Sequence, residues 1–353
     1  MPRTLSRREA LQLLGAVPVA AAATSTPVAA QPSASGALQI GMVSRHLQWA
    51  PLDQAIAVTK EAGFDTIEWN VRKGGHVPPE RVEQDLPRVV EATRKAGMNV
   101  TMITTSIQDA QSPNAEAIIR TAAGLGIRYY RGGEYFRYDY AQDVAPQFDA
   151  LRRRLAGLAD LNAKHGIAMA YHTHSAPGVI GGNVWDFWTV IRDLDPKYIG
   201  FNYDTGHVTI RGGNGWRDAA SAVRPFIRAL AVKDFIWTRR SGRGGPGAPG
   251  GRGGPGGPGG PGGGAGRGPS GPAYPWQTDW TPLGEGQVDF PNMLRFLKAS
   301  GFNGPINIQY EHSNLLGTDL GTWTLDITRE RFLDIVKKDL VYFKAQMKDA
   351  GFA

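Results

Sequence analysis

One local pattern recurs along the chain and constrains its fold more than any other feature. A helical segment ends at a glycine and an apolar segment follows at once, as at Gly63-Phe64, Gly97-Met98, Gly126-Ile127, Gly166-Ile167 and Gly301-Phe302. Glycine just beyond a helix end adopts the left-handed conformation that caps the helix. The repeated change from helix to apolar strand is typical of a parallel α/β fold.

Eight such units can be placed along the chain. The predicted strands cover residues 38–44, 65–70, 98–104, 127–132, 167–173, 198–204, 228–234 and 305–311. The predicted helices cover residues 52–62, 80–96, 114–125, 142–165, 184–194, 216–225, 289–300 and 328–349. This spacing predicts an α/β fold with a single (β/α)8 TIM barrel over residues 37–353. A doubly wound sheet is the competitor, but no Gly-x-Gly-x-x-Gly turn follows the first strand, which argues against a dinucleotide site.

A Gly/Pro-rich segment interrupts the pattern after the seventh strand. In residues 241–273, 18 of 33 residues are glycine and 7 are proline. Such a composition lacks the apolar side chains of a core, so the loop 239–273 is predicted to be a disordered insertion at the C-terminal mouth of the barrel. A tolerated low-complexity expansion is the favoured interpretation, and a mobile lid or a tether to anionic surface polymers is the alternative.

The distribution of charge and the lack of cysteine exclude several functions. The chain has a formal net charge of +7, of which residues 1–31 carry +2 and residues 239–273 carry +5. The body of the chain is therefore neutral and offers no basic face, so we predict no nucleic-acid partner. With no cysteine in the chain, disulfides, Cys-ligated zinc and a thiol nucleophile are excluded.

The N-terminal segment has the features of an export signal. An Arg7-Arg8 pair precedes an apolar run over residues 11–23, and small residues at 28–30 offer a cleavage site. These features predict a twin-arginine signal peptide over residues 1–30 and a periplasmic or secreted protein. The apolar run is short and contains Pro18, so we expect no stable membrane insertion after cleavage, with an uncleaved anchor as the alternative.

Polar residues concentrate at the C-terminal ends of the predicted strands, where barrels of this kind hold their active sites. Alternation along each strand directs every second side chain into the barrel. The candidates selected in this way are Glu68, Glu134, His172, His174, Asp204, His207, Lys233, Gln309 and Glu311.

Histidine is the most informative residue type among these candidates. A lone histidine on a strand more often packs in a core than binds a ligand. Here, four of the seven histidines of the chain follow strands five, six and eight, namely His172, His174, His207 and His312. Imidazole together with carboxylate oxygen is a donor set that suits Mn, Fe, Co or Zn. The concentration favours a metal site or a polar catalytic site.

The motifs, taken in order, resemble the sugar phosphate isomerase/epimerase superfamily of xylose-isomerase-like TIM barrels. The residues that carry the resemblance are Thr66–Trp69, Tyr171–His174, Asp204–His207, Val232–Phe235, Pro282–Gly286 and Tyr310-Glu311. The resemblance implies a divalent metal held by a Glu, an Asp, a His and a Glu from strands five to eight. It also implies that the two Glu residues shuttle a proton beside a sugar carbonyl.

The chain departs from this pattern at two positions. Asp204 and Glu311 match it, and His207 matches the histidine that touches substrate hydroxyls. The Glu of strand five is replaced by His172, and the His of strand seven is replaced by Ala231.

The resemblance, read with these departures, implies roles for the candidates. The implied metal ligands are His172, Asp204 and Glu311, for Mn, Co, Zn or Mg. The predicted catalytic residues are Glu311, His172 and Lys233, with a salt bridge to an acidic neighbour as the alternative role of Lys233. The predicted substrate-binding residues are His207, His174, Glu68 and Glu134.

Several functions are consistent with this site. The first is a metal-dependent isomerase or epimerase that abstracts a proton next to a carbonyl of a free sugar or sugar derivative. The second is a lyase that ends the same first step in elimination, as on an oxidised glycoside. A carbohydrate-binding barrel without catalysis is the third, motivated by the missing Glu and His. A DNA-repair endonuclease is disfavoured because no basic groove is visible. We expect a small carbohydrate as ligand, and a homo-oligomer is compatible with the sequence.

Overall fold

The structure is a computed structural model that describes residues 38–133, 135–239, 275–312 and 325–352. The predicted signal peptide 1–30, Glu134 and the Gly/Pro-rich residues 241–273 lie outside the described residues. Within the described ranges, no helix is long and apolar enough to cross a membrane.

Eight parallel strands close into a barrel. The strands of the described residues are β1 Ile40–Val43, β2 Thr66–Val71, β3 Met102–Thr105, β4 Tyr129–Arg131, β5 Ala168–His172, β6 Ile199–Asp204, β7 Ile227–Val232, β8 Asp234–Arg239, β9 Trp276–Thr281 and β10 Ile306–Ile308. Around the ring the order is β1, β10, β7, β6, β5, β4, β3 and β2. The closed ring confirms the predicted (β/α)8 barrel.

Helices follow the barrel strands along the chain. They are α1 Leu52–Ala62, α2 Val82–Lys95, α3 Ala115–Gly124, α4 Val144–His165, α5 Trp185–Ile191, α6 Thr205–Gly212, α7 Trp216–Val223, α8 Phe290–Ala299 and α9 Arg329–Asp349. The glycine pattern marks helix ends as expected, since Gly63 and Gly166 are the left-handed C-caps of α1 and α4, with φ of 89° and 67°.

Two elements were not predicted from the sequence. Helix α6 begins directly after β6, where the Asp204 side chain accepts a hydrogen bond from the His207 N–H at 2.8 Å and caps the helix. Strands β8 and β9 pair in an antiparallel hairpin, from Asp234 opposite Thr281 to Arg239 opposite Trp276. The Gly/Pro-rich insertion therefore connects the two strands of a hairpin.

The buried Asp234 carboxylate attaches this hairpin to the following loop. Its oxygens accept hydrogen bonds from the backbone N–H groups of Gly284, Gly286 and Val288, each at 3.0 Å. A Cβ atom at Gly286 would lie 2.2 Å from Asp234 Oδ1, so glycine is needed for this approach. The loop after β9 is thus held against the barrel mouth.

Inward-facing side chains divide the barrel interior into layers. Met102, Ala170 and Ala229 form a small apolar cluster in the interior. Gly41 faces the same interior, where a Cβ atom would lie 2.2 Å from Thr66 Oγ1 and 2.3 Å from Asn307 Oδ1. Polar side chains, among them His172 and Asp204, follow toward the C-terminal ends of the strands, so the small apolar cluster lies below the mouth.

Substitution of Gly41 tests this packing. Gly41→Ala adds a methyl group to a filled interior, and we expect a loss of about 1–3 kcal/mol in the free energy of unfolding. Gly157→Ala is the matched control, because Gly157 lies exposed inside α4 with nothing within 4 Å of an added Cβ. The control should gain about 0.5–1 kcal/mol from higher helix propensity. Urea denaturation measures both, and equal stability of the two variants would contradict the packing.

Candidate active site at the barrel mouth

Three charged side chains meet at the centre of the mouth. Lys233 Nζ lies 2.7 Å from Glu311 Oε1 and 3.4 Å from Asp204 Oδ2. The side chains of Lys233 and Asp204 are 3% and 0% exposed, and that of Glu311 is 12% exposed. They come from the ends of β7, β6 and β10, which are neighbours in the ring. The closed sheet therefore brings together residues that are far apart in the sequence.

The two oxygens of Asp204 have different surroundings. Oδ1 accepts the His207 N–H at the start of α6. Oδ2 has no hydrogen-bond partner among the described residues, although it faces Lys233 Nζ and His172 Nε2, both at 3.4 Å. The carboxylate is therefore fixed by one oxygen and presents the other to the mouth.

His172 is held by a side chain of the neighbouring strand. Asn202 lies beside His172 in the register of β5 and β6, and Asn202 Nδ2 is 3.1 Å from His172 Nδ1. His172 Nε2 lies 3.4 Å from Asp204 Oδ2, so the ring lies between the Asn202 amide and the Asp204 carboxylate.

His207 and His174 form the wall on the α6 side. Ser175 Oγ is 2.8 Å from His207 Nδ1, and His207 Nε2 is buried without a hydrogen-bond partner among the described residues. The His174 ring lies 4.1 Å from the His207 ring and 4.4 Å from the Tyr135 ring. The wall thus presents imidazole groups that could contact hydroxyl groups of a ligand.

Burial and ion pairing set the charges of the site. Burial raises the pKa of Asp204 to about 6. Burial alone would lower the pKa of Lys233, but the charges of Asp204 and Glu311 outweigh it and raise that pKa above its ordinary value. The Lys233 ammonium likewise outweighs the effect of burial on Glu311 and lowers the pKa of Glu311. The centre is therefore an ammonium between two carboxylates at neutral pH.

The surrounding histidines are neutral at the same pH. Burial lowers the pKa of His172 and of His207 well below the ordinary value, and nearby cations lower it further. Burial also lowers the pKa of His174 to about 4. A neutral imidazole can accept or donate a hydrogen bond, so these rings can position a polar ligand.

A tryptophan of the hairpin covers the centre. Lys233 Nζ lies 4.6 Å from the Trp280 ring, and the His207 ring lies 5.0 Å from it. An ammonium over an indole face gains a cation–π attraction, which is stronger when the pair is desolvated. Trp280 lies on β9, which was not predicted as a strand from the sequence. No sequence pattern therefore identified Trp280 as a residue of the site.

The remaining predicted residues are spread around the mouth. Glu68 faces the interior from β2, across the ring from β6, and accepts a hydrogen bond from Thr104 Oγ1. His312 lies outside the centre, with Nε2 3.2 Å from Asp339 Oδ2 of α9. Glu134 is outside the described residues.

Two further inward residues were missed by sequence reasoning. Arg131 ends β4 and donates from Nη2 to the Tyr135 hydroxyl at 2.9 Å, and Asn202 supports His172. Both have the inward parity that selected the other candidates, which is the signal that could have identified them.

The described residues offer donor atoms for a divalent metal. Ligand atoms of His172, Asp204 and His207 lie within 4.8 Å of one another. Nitrogen and oxygen donors of this kind suit a divalent ion. Glu311, which the resemblance implies as a ligand, lies outside this group and pairs with Lys233.

The charges around these donors do not fit a divalent ion. Asp204 Oδ2, the anionic donor of the group, already has the Lys233 ammonium at 3.4 Å. The donor types therefore agree with a metal site, whereas the position of Lys233 opposes it.

Removing either partner of the ion pair should show how strongly they are coupled. Glu311→Gln and Lys233→Met each leave a buried charge with fewer partners, and we expect each to lower the free energy of unfolding by about 3–5 kcal/mol. The double variant should lose clearly less than the sum of the single losses, because it leaves no unpaired charge in this pair. Denaturant unfolding of the four proteins measures the coupling, and strict additivity would contradict the ion pair.

Comparisons with known proteins place the chain in a family. An inosose dehydratase from Lactiplantibacillus plantarum is 31% identical over 68 residues, which is 19% of this chain and only 22% of that protein. An L-ribulose 3-epimerase structure has 16% identity and a TM-score of 0.60, covering 89% of this chain and 95% of that chain. An IOLI protein with a bound zinc atom has 12% identity and a TM-score of 0.59, covering 89% and 98%. The profile of the xylose isomerase-like TIM barrel family matches residues 56–340, so the chain belongs to that family.

Proposed function

We propose that this chain is an enzyme that removes a proton from the carbon next to a carbonyl of a small carbohydrate and returns it, as an isomerase or epimerase. The observation that carries the proposal is the buried contact of Lys233 with Glu311 and Asp204. A base for such a step must be ionised and close to a group that stabilises the enediolate oxygen. Glu311 and Lys233 meet these two requirements within 2.7 Å of each other.

Each residue of the mouth has a role in this proposal. Glu311 accepts the proton, since its pairing with Lys233 keeps it ionised. His207 and His174 bind substrate hydroxyls, as their neutral rings line one wall. His172 is the second proton-transfer group on the opposite side, where the resemblance implies a carboxylate. Glu68 binds a distal hydroxyl, because one of its oxygens has no partner among the described residues.

A metal-dependent version of the same reaction would use the predicted divalent ion. His172, Asp204 and His207 would hold such an ion, and its chemistry would be to polarise the substrate carbonyl. The similarity to a zinc-bearing structure supports this version, at 12% identity. The position of Lys233 does not favour it.

Elimination is the second candidate. The local similarity to an inosose dehydratase favours it, because dehydration of a keto compound begins with the same proton abstraction. The two reactions then differ only in whether the proton returns to carbon or a hydroxyl leaves.

Hydrogen exchange tests the shared first step directly. Wild-type protein in D2O should introduce deuterium next to the carbonyl of L-ribulose, D-fructose or an inosose, measured by NMR and mass spectrometry. Glu311→Gln should slow the exchange at least 100-fold, which is the lower end of the usual contribution of a general base.

The matched control is Glu285→Gln, since Glu285 is an exposed carboxylate paired with Lys338 on the surface. This variant should catalyse the deuterium exchange of the sugar at the wild-type rate. Deuterium exchange that persists in Glu311→Gln would show that Glu311 is not the base. A product of the inosose that is lighter by one water molecule would identify the reaction as an elimination.

We also propose that the chain is exported before it acts. The support is the Arg7-Arg8 pair and the apolar run that follows it. In a bacterial host with a twin-arginine system, Arg7→Lys with Arg8→Lys should retain the protein in the cytoplasm, as measured by cell fractionation. Periplasmic accumulation of this variant at the wild-type level would contradict the proposal.

A further inference from the structure

We propose that the Lys233 ammonium is the resident cation of this site and takes the place of a divalent metal ion. Its part in binding the carbonyl oxygen rests on the proposed function, whereas the exclusion of a metal rests on the geometry alone. The site would thus act without a metal cofactor, using an electrophile that belongs to the chain itself.

The position of Lys233 is the first observation that supports a lysine in place of a metal ion. Ala231 lies beside Asp204 in the register of β6 and β7, so the strand offers only a methyl group where a ligand could face that carboxylate. Lys233 is the next residue of the same parity, and its Nζ atom reaches Asp204 Oδ2 at 3.4 Å and Glu311 Oε1 at 2.7 Å. The lysine therefore touches both carboxylates of the centre.

The charged groups around Lys233 are the second observation. Asp204 and Glu311 are two carboxylates that both face Lys233 Nζ, so the centre already holds one cation between two acidic side chains. A divalent ion added beside Lys233 would place a second cation against the same two carboxylates in a buried site. The ammonium and an incoming ion would therefore compete for Asp204 and Glu311.

The burial of the ammonium and its aromatic neighbour are the third observation. Lys233 is 3% exposed, and the Trp280 ring lies 4.6 Å from its Nζ atom. A buried ammonium with two carboxylates and an aromatic face has the partners that a desolvated cation requires. A metal ion that displaced the ammonium would separate it from these partners. An incoming ion therefore has to compete with Lys233 for the two carboxylates.

The hydrogen-bonding capacity of the ammonium exceeds what its bond to Glu311 uses. An ammonium has three donors, and Glu311 accepts one of them in a hydrogen bond at 2.7 Å. A donor not used by the carboxylates can bind a carbonyl oxygen and stabilise the negative charge that develops there. When Glu311 removes the proton from the adjacent carbon, the electron pair of the C–H bond moves to form the enediolate, and its oxygen remains on the ammonium.

Metal titration of the full chain decides between the two cations. After treatment with a chelator, the wild type should bind Mn²⁺, Co²⁺ or Zn²⁺ at the site only weakly in calorimetry. Lys233→Met removes the charge at similar length, and we expect it to bind one ion at least 10-fold more tightly. Lys338→Met is the control, since Lys338 is an exposed lysine, and it should bind as the wild type does.

Two titration results would contradict the replacement of the metal ion by Lys233. One ion bound by the wild type at micromolar or lower Kd, and lost in Asp204→Asn, would overturn the proposal. Equal affinity of Lys233→Met and the wild type would do the same. If Lys233→Met does not fold, the wild-type titration and its metal content still decide. Absence of deuterium exchange on every sugar would refute the proposed function and leave this metal test unaffected.

Discussion

Closure of the parallel sheet is the constraint on which the rest of the structure depends. Because the strands run in one direction around a ring, all of their C-terminal ends open at one mouth. The register then determines the neighbours there, with His172 beside Asn202 and Asp204 beside Ala231. A shift of one residue in any strand would turn its polar side chains to the helices. The geometry of the site is thus a property of the whole ring.

The charged centre is held in place at an energetic cost. Burying Lys233, Asp204 and Glu311 removes their hydration, and their mutual attraction repays this only with good geometry. Apolar residues of similar volume would often be as stable, so a cluster of this kind is better explained by chemistry than by stability. The hairpin contributes here, because Trp280 shields the ammonium while Asp234 attaches the following loop to the mouth. Fold and site are linked through this one hairpin.

Strand periodicity made part of the site predictable. His172, Asp204, Lys233 and Glu311 share inward parity, and the structure brings them to one mouth because side chains alternate with a period of two. Trp280 was not predictable in this way, since β9 follows a Gly/Pro-rich segment and gains its order from pairing with β8. Helix α6 was missed because it begins at Asp204 without an intervening loop. Local pattern thus identified side-chain direction, but not elements stabilised by distant partners.

The amino-acid sequence by itself determined the alternation of helices and strands, the glycine caps between them and the polar residues at the strand ends. These features are local, because capping, propensity and alternation act over a few residues. Only the tertiary structure decided that Lys233 lies between Asp204 and Glu311 and that Glu311 is excluded from the group of metal-ligand atoms. Those contacts join residues from three different strands, so they depend on closure of the ring and on the reach of one long side chain, which no local pattern records.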